Sequence, residues 1–293
     1  MMRTFGLFLA LACVPASAAE PAAVKVERNI PFTTAGGEKL MLDLAAPSSG
    51  GPYPAVLLLH GGAWSMGSRK DLSVADKKGT PSLIEQVAAR GYVVASASYR
   101  LAPKHKFPAQ IEDARTAVRF LRANAKRYNL NPDKIGAGGF SAGGHLALLL
   151  GLADKDSFKS DDLPEQSSRV DCVVSFFGPT DLSLYSASEG LEDAYMVPFL
   201  GKACKTDKSV YAKASPIEYV TKNAPPVRMI HGTADIVVPI MHSERLLKKL
   251  EDTGVKCDLV TVKGEGHGWD GKAAAKSTED TIQFLDEHLK GKK

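Results

Sequence analysis

The chain has 293 residues, of which 44% are hydrophobic and 24% are charged, a composition typical of an ordinary globular protein with a sizeable core. Its 37 basic and 33 acidic residues leave a formal net charge of +4, and no basic cluster is interleaved with aromatic residues. Composition and charge therefore argue against a nucleic-acid partner, and the length suits one α/β domain.

The first 18 residues have the layout of a secretory signal peptide. An early Arg3 precedes an apolar stretch over residues 5–14, and small residues end the segment at Ala18. This order predicts cleavage after about Ala18 and a secreted or periplasmic protein. The alternative is a buried N-terminal helix or a short membrane anchor, although the stretch is too short to span a bilayer. Since no other stretch approaches transmembrane length, we expect no integral membrane segment after cleavage.

Strand-like and helical patterns alternate along the rest of the chain. From residue 55 onward, apolar runs typical of buried strands are separated by stretches in which apolar residues recur at helical spacing. This alternation predicts an α/β fold with a mainly parallel sheet of about eight strands and helices on both faces. The predicted strands cover residues 24–32, 40–45, 55–60, 92–98, 135–138, 170–177, 227–232 and 259–262, and the predicted helices cover 81–90, 111–128, 142–153, 241–253 and 278–289.

Three segments depart from this alternation. The first two strand-like runs are joined by a short glycine-containing turn, so we expect an antiparallel hairpin at one edge of the sheet. Residues 154–169 are rich in charge and serine, and residues 179–226 carry scattered aromatic residues without a sustained period. Both are predicted insertions, and the second is long enough that we expect short helices covering one end of the sheet. No repeat or linker divides residues 19–293, which indicates a single domain.

Cysteine usage gives no clean disulfide framework. Of the four cysteines, Cys13 falls within the predicted signal peptide, which leaves the odd number of three. Cys172 and Cys257 lie in or beside predicted strands and are interpreted as small core residues. Cys204, in a polar stretch, is either free or paired.

A GxSxG motif occupies residues 139–143, between a short apolar run and a helical stretch. A sharp strand-to-helix turn can hold such a serine exposed, where a histidine reaches its hydroxyl and removes the proton. This context predicts that Ser141 is a catalytic nucleophile. The alternative is that Ser141 only caps the following helix.

Candidates for the base and its orienting acid follow later strands. Asp235 comes after the strand-like run 227–232, and His267 lies in a glycine-flanked turn after the last strand. The carboxyl ends of parallel strands meet at one edge of the sheet, so both residues should lie near Ser141. The chain order serine, aspartate, histidine is also the one expected on this architecture. In the alternative, Asp235 caps the next helix and Asp181 orients the histidine.

A glycine-rich loop is predicted to supply the donors that stabilise a developing oxyanion. The HGGAW sequence of residues 60–64 follows a buried strand, and its glycines let the backbone bend into the site. We expect the amides of Gly62, Ala63 and Ala142 to form the oxyanion hole. His60 is expected to brace the loop and not to act as the base.

Three aromatic residues beside these motifs are predicted to bind substrate. Trp64 ends the HGGAW motif, Phe140 precedes the nucleophile, and Trp269 follows the candidate base by two positions. The loops that carry them suggest that they form walls of the acyl pocket. For the two tryptophans, packing in the core is the alternative.

Taken in order, the motifs resemble the α/β-hydrolase superfamily, specifically its esterase and lipase branch. The resemblance covers nearly everything after about residue 26. The pattern is most similar to secreted carbohydrate esterases described as bifunctional acetylxylan and feruloyl esterases (BD-FAE-like), followed by hormone-sensitive-lipase-like enzymes. The motifs that carry the resemblance are HGGAW (60–64), YRLAP (99–103), GFSAGG (139–144), HGTAD (231–235) and GEGHGW (264–269).

The chain departs from the hormone-sensitive-lipase pattern at several positions. That group usually has HGGG where this chain has Ala63 and Trp64, an acidic residue where it has Lys104, and GDSAGG where it has Phe140. These departures weaken a lipase identity without touching the predicted hydrolytic residues.

The resemblance implies that residues 19–293 form an α/β-hydrolase catalytic domain with a small cap, and that the protein is a serine esterase needing no metal or organic cofactor. The expected substrates are short-acyl carboxylic esters, small or polymeric, such as acetyl or feruloyl groups on plant polysaccharide. The alternatives are an arylformamidase, a lipase or another carboxylesterase, and, outside enzymes, an inactive hydrolase fold used for binding. The oligomeric state stays open.

Overall fold

An eight-stranded sheet runs through the part of the chain that the computed structural model describes, namely residues 23–76, 79–154, 157–158, 162–187 and 190–291. The predicted signal peptide lies outside these residues. The strands are β1 (Val24–Ala35), β2 (Glu38–Pro47), β3 (Tyr53–Leu59), β4 (Val93–Ala97), β5 (Leu130–Phe140), β6 (Val173–Phe176), β7 (Val227–Gly232) and β8 (Cys257–Val262).

Strand order and direction confirm the predicted fold class. The order across the sheet is β1-β2-β4-β3-β5-β6-β7-β8. The β1–β2 and β2–β4 pairs are antiparallel, so the predicted hairpin does form one edge, whereas β4, β3, β5, β6, β7 and β8 pair in parallel. The carboxyl ends of six neighbouring strands therefore meet at one edge of the sheet.

Helices cover both faces of this sheet. Ile111 and Leu146, on the third and fifth helices, belong to one buried apolar cluster, while Ile84 and Phe284, on the second and ninth, belong to another on the opposite face. The α-helices are α1 (Lys70–Ser73), α2 (Leu83–Ala88), α3 (Ala109–Ala123), α4 (Ala125–Tyr128), α5 (Ala142–Leu152), α6 (Val197–Leu200), α7 (Lys208–Ala214), α8 (Met241–Asp252) and α9 (Gly271–Leu285).

The last helix begins seven residues before its predicted start. Residues 271–277 carry three alanines and two lysines and no apolar periodicity, so a search for an amphipathic face misses them. Alanine and lysine nevertheless have high intrinsic helix propensity, and α9 includes this segment from Gly271 onward. None of the helices in the described ranges is both long and apolar enough to cross a bilayer.

The segment 179–226 lies beyond the end of β6 and contains short helical pieces. Besides α6 and α7 it has 3-10 turns at Leu182–Ala187 and Pro216–Tyr219 and a π-helical turn at Glu192–Met196. Cys204, in this segment, is buried, and it is a free thiol, as are Cys172 and Cys257.

Candidate active site

Ser141 sits on a tight turn between β5 and α5. Its φ of 53° lies in the left-handed region, which L-residues rarely adopt and which here aims the side chain away from both elements. Gly143 makes the turn sterically possible, because a Cβ atom at this position would lie 2.1 Å from the carbonyl oxygen of Leu59. The sequence GFSAG thus folds as the predicted strand-to-helix turn, with the Ser141 side chain half-buried.

Two loops at the same sheet edge bring a histidine and a carboxylate to this serine. Nε2 of His267 lies 2.8 Å from Oγ of Ser141, and Nδ1 of the same ring lies 2.7 Å from Oδ2 of Asp235. Since the carboxylate can only accept, His267 donates its Nδ1 proton to Asp235 and accepts from the serine hydroxyl through Nε2. The three residues named from the sequence are therefore joined by one chain of hydrogen bonds.

The Asp235 side chain is fully buried but well supplied with donors. Its Oδ1 accepts hydrogen bonds from the amides of Val237 and Val238, both at 2.9 Å, and His231 approaches Oδ2 at 3.3 Å. Burial on its own raises the pKa of the Asp235 carboxyl, but the hydrogen bonds from His231, His267 and the Val238 amide outweigh burial and hold this pKa well below its usual range. Asp235 thus stays ionised beside His267.

Asp181, the alternative orienting acid, has other partners. Its carboxylate accepts from the Ser183 amide and hydroxyl, and it pairs with Arg245 at 3.2 Å. His267 contacts Asp235 instead. Among the described residues, no group of three or more acidic, histidine or cysteine side chains is arranged to hold a metal ion.

The HGGAW loop bends next to the serine. Gly62, Ala63 and Trp64 have φ angles of 109°, 49° and 58°, so three successive residues lie in the left-handed region. A Cβ atom at Gly61 would lie 3.6 Å from Cβ of Ser141, which places the loop directly against the nucleophile. Within the described ranges, the amides of Gly62 and Ala63 have no hydrogen-bond acceptor, so both are available to a ligand.

His60 braces this loop from beneath, as its position suggested. Its fully buried ring stacks on Tyr99 with centroids 4.2 Å apart, and the Tyr99 hydroxyl donates to the His60 carbonyl at 2.9 Å. Nδ1 of His60 donates to the carbonyl of Gly61 at 2.7 Å.

A cleft of about 430 Å³ opens above Ser141 and His267. Trp64 and Phe140, two of the three aromatic residues predicted to bind substrate, lie in its walls. Trp269 does not: it lines a separate cavity of about 820 Å³ between the sheet and helices α2 and α9, and its indole N–H donates to Ser277. Phe177 lies between Trp269 and His267, with its ring centroid 5.3 Å from that of Trp269 and 4.7 Å from that of His267, so Trp269 does not line the cleft above Ser141.

Several wall residues were not predicted individually. Phe177 follows β6, and the rule that strand ends converge at the site could have identified it. The segment 179–226 contributes three further wall residues, Tyr185, Tyr195 and Met196. No pattern in the sequence predicts that this segment reaches the cleft.

Comparison with known proteins identifies the family. Residues 42–250 match the BD-FAE family, which is well over half of the chain. The chain belongs to the BD-FAE family. The resemblance to esterases of the α/β-hydrolase superfamily that the motifs indicated is thereby confirmed.

Relatives of this BD-FAE member include named esterases. Esterase LipC of Mycobacterium tuberculosis is 35% identical over 226 residues, which cover 75% of this chain and 54% of LipC. The chain thus spans about half the length of the curated relatives it matches.

Solved structures share the whole fold. A carbohydrate esterase from gut microbiota, in truncated form, superposes with a TM-score of 0.77 at 28% identity and covers 93% of this chain and 99% of its own. Esterase Est2 of Thermogutta terrifontis, with butyrate bound, has a TM-score of 0.75 at 26% identity and covers 93% and 97% of the two chains.

The site of this BD-FAE member has the parts that acyl transfer requires. A hydroxyl is hydrogen-bonded to an imidazole, an ionised carboxylate holds the imidazole, and the loop beside the hydroxyl carries two amides that have no acceptor among the described residues. Such an arrangement can activate a serine and stabilise negative charge on a carbonyl oxygen.

Proposed function

We propose that the protein is a secreted serine esterase that hydrolyses short-acyl carboxylic esters, with acetyl or feruloyl groups on plant polysaccharide as its substrates. The observation that carries the proposal is the chain of hydrogen bonds from Ser141 through His267 to Asp235. Membership of the BD-FAE family and the esterase names of its relatives support the same reaction class.

In the proposed reaction, His267 takes the proton of Ser141 as the serine oxygen attacks the ester carbonyl. Asp235 keeps the Nδ1 proton of His267 in place, so that Nε2 is free to act as the base. The amides of Gly62, Ala63 and Ala142 hold the negative oxygen of the tetrahedral intermediate. His267 then protonates the leaving alcohol, and water hydrolyses the acyl-enzyme by the reverse proton route. No residue in this scheme needs a metal or an organic cofactor.

The walls of the cleft support a short acyl group. Trp64 is buried and stacks on Phe199 with centroids 4.1 Å apart and an interplanar angle of 6°, which fixes one wall. Phe140 stacks on Phe176 at 4.4 Å and fixes another. Stacked aromatic pairs have little freedom to rearrange around a long chain. The butyrate in the similar Est2 structure is consistent with this size.

The polysaccharide substrate and the secreted location are proposed together. The similar structure from gut microbiota is named a carbohydrate esterase, and residues 1–18 have the signal-peptide layout. Expression with the natural N-terminus, followed by intact-mass measurement of the protein in the periplasm or medium, should give a chain lacking about 18 residues. A protein retained in the cytoplasm at full mass would contradict secretion.

A fluorophosphonate probe and a substrate panel test the esterase proposal. We expect one probe per chain, attached to Ser141 in the peptide map, and no attachment to any other serine. Among p-nitrophenyl esters, kcat/KM for acetate should exceed that for octanoate by about tenfold or more. Release of acetate from acetylated xylan, or of ferulate from methyl ferulate, is expected, with formylkynurenine turned over slowly. A preference for octanoate would contradict the short-acyl proposal.

A further inference from the structure

The fully buried imidazole of His145 connects three parts of the site. These are the nucleophile helix α5, the HGGAW loop of residues 60–64 (the oxyanion loop) and the segment 179–226. Nε1 of Trp64 lies 3.1 Å from Nδ1 of His145, and Nε2 of the same ring lies 2.7 Å from the carbonyl oxygen of Ala214 at the end of α7. The amide of His145 donates to the carbonyl of Ser141 at 2.9 Å. His145 therefore links its own helix, α5, to the loop that carries Trp64 and to the end of α7.

These partners determine the protonation of His145. The Ala214 carbonyl can only accept, so Nε2 of His145 carries the proton, and the Trp64 indole can only donate, so Nδ1 must be unprotonated. The ring is thus neutral and in a single tautomer. A protonated His145 would present two N–H groups and would lose the hydrogen bond from Trp64.

The oxyanion loop needs such a support. Ala63 and Trp64 both have positive φ angles, a conformation that costs free energy for residues with a Cβ atom and persists only where the surroundings impose it. Two other contacts hold Trp64: its ring stacks on Phe199, and its carbonyl accepts from the Ala102 amide at 2.9 Å. The hydrogen bond to His145 adds a polar tie between the loop and the helix that begins after the nucleophile.

We propose that His145 is a positioning residue for the oxyanion hole: by accepting the Trp64 hydrogen bond it keeps the Ala63 amide in place beside Ser141. His145 does not touch substrate in this role and acts only through Trp64. The inference rests on the proposed esterase function, because it assigns a task within that reaction.

Three variants isolate the hydrogen bond between Trp64 and His145. Trp64→Phe keeps an aromatic ring against Phe199 but removes the N–H donor. His145→Gln keeps a donor near the Nε2 position for Ala214 but removes the acceptor for Trp64, whereas His145→Asn keeps an acceptor near the Nδ1 position and gives up the bond to Ala214. The two His145 variants therefore separate the contact with the loop from the contact with the segment 179–226.

We expect Trp64→Phe and His145→Gln each to lower kcat about 10- to 100-fold on p-nitrophenyl acetate, with KM changed less than about threefold. The double variant Trp64→Phe/His145→Gln should be no slower than either of these single variants, since each substitution removes the same hydrogen bond. His145→Asn should recover most of the lost kcat. Affinity for a trifluoromethyl ketone, whose adduct places a negative oxygen in the hole, should fall in parallel with kcat.

Some outcomes would overturn the positioning role. One is a double variant in which the losses of kcat from Trp64→Phe and His145→Gln multiply. Another is a His145→Asn variant as slow as His145→Gln. The third is a lowered melting temperature in Trp64→Phe and His145→Gln with unchanged kcat and unchanged affinity for the ketone. His242→Gln serves as the matched control, because His242 is equally buried but contacts Thr180. It should lower stability without a selective loss of ketone affinity.

Different variants test the esterase mechanism and the role of His145. Full activity in Ser141→Ala would contradict the esterase mechanism itself. An inactive Ser141→Ala, combined with unchanged kcat in folded Trp64→Phe and His145→Gln, would contradict only the role of His145.

Discussion

Nε2 of His231 lies 3.3 Å from Oδ2 of Asp235, the same carboxylate oxygen that accepts the proton of His267. Both side chains of this pair are completely buried. Nε2 of His231 also lies 2.8 Å from the Val238 carbonyl, and Nδ1 lies 2.7 Å from the Ser243 hydroxyl. His231 is therefore held in the tautomer that donates to Asp235. The Asp235 carboxylate is thus held by His231 as well as by His267.

His231→Leu removes one donor from Asp235. Because hydrogen bonds to the ionised form hold the pKa of Asp235 down, this pKa should rise in the variant. The proposed reaction needs ionised Asp235, so activity on the acid side of the kcat/KM profile should be lost at a higher pH than in the parent. Asp235 remains ionised at pH 7, but with one donor gone its carboxylate is held less firmly against His267, so kcat at pH 7 should fall about tenfold. The measurement is a pH–rate profile on p-nitrophenyl acetate, with His231→Gln, which retains a donor, as the control. An acid limb that stays in place in a folded His231→Leu variant would contradict this role.

Two buried histidines predict acid sensitivity of the fold. Burial lowers the pKa of His145 and of His242 to about 4 each, whereas an unfolded histidine has a pKa near 6.5. Between these values the unfolded chain binds protons that the folded protein excludes, so the stabilisation is complete above about pH 6.5 and is lost progressively as the pH falls toward 4. Each histidine should contribute about 3 kcal/mol to this loss.

Urea unfolding from pH 4 to 8 measures this dependence. His242→Gln should remove about half of the decrease in unfolding free energy that the two histidines produce, since it eliminates one of the two groups. A parent protein equally stable at pH 4.5 and pH 7 would contradict the assignment of both rings as buried and neutral.

The position of Trp269 predicts a minor effect on catalysis. Its indole lines the cavity behind Phe177 and not the cleft above Ser141. Trp269→Phe, which removes the hydrogen bond to Ser277 but keeps an aromatic ring, should change kcat/KM less than about threefold. Parallel kinetics on acetate and butyrate esters of p-nitrophenol check this expectation. A loss of kcat/KM as large as that in Trp64→Phe would contradict this expectation and would indicate that Trp269 contacts substrate.

The parts of the site that follow from strand ends were accessible from the sequence. GFSAG, Asp235 and His267 each follow an apolar run within a few residues, and parallel strands bring such positions to one edge. The same rule extends to Phe177, which follows β6. The apolar runs and the hairpin signal predict all eight strands, although β5 extends further at both ends than its apolar core indicates.

Features that depend on packing between distant segments were not accessible. Trp269 was assigned to the substrate wall from its distance along the chain to His267, but the turn at Gly268, with a φ of 114°, carries it to the other side of Phe177. Tyr185 and Tyr195 reach the cleft from the segment 179–226, whose short helices have no periodic signal. The link from Trp64 to His145 joins residues 81 positions apart, and nothing local to either residue marks it.

Replacement of Ser141 tests whether this residue is the nucleophile of the proposed esterase. Ser141→Ala removes the hydroxyl that lies 2.8 Å from His267 and leaves the oxyanion loop and the rest of the cleft in place. We expect kcat on p-nitrophenyl acetate to fall at least about 10⁴-fold, with the melting temperature little changed. Activity within about tenfold of the parent, in a preparation shown by mass spectrometry to carry the substitution, would contradict it.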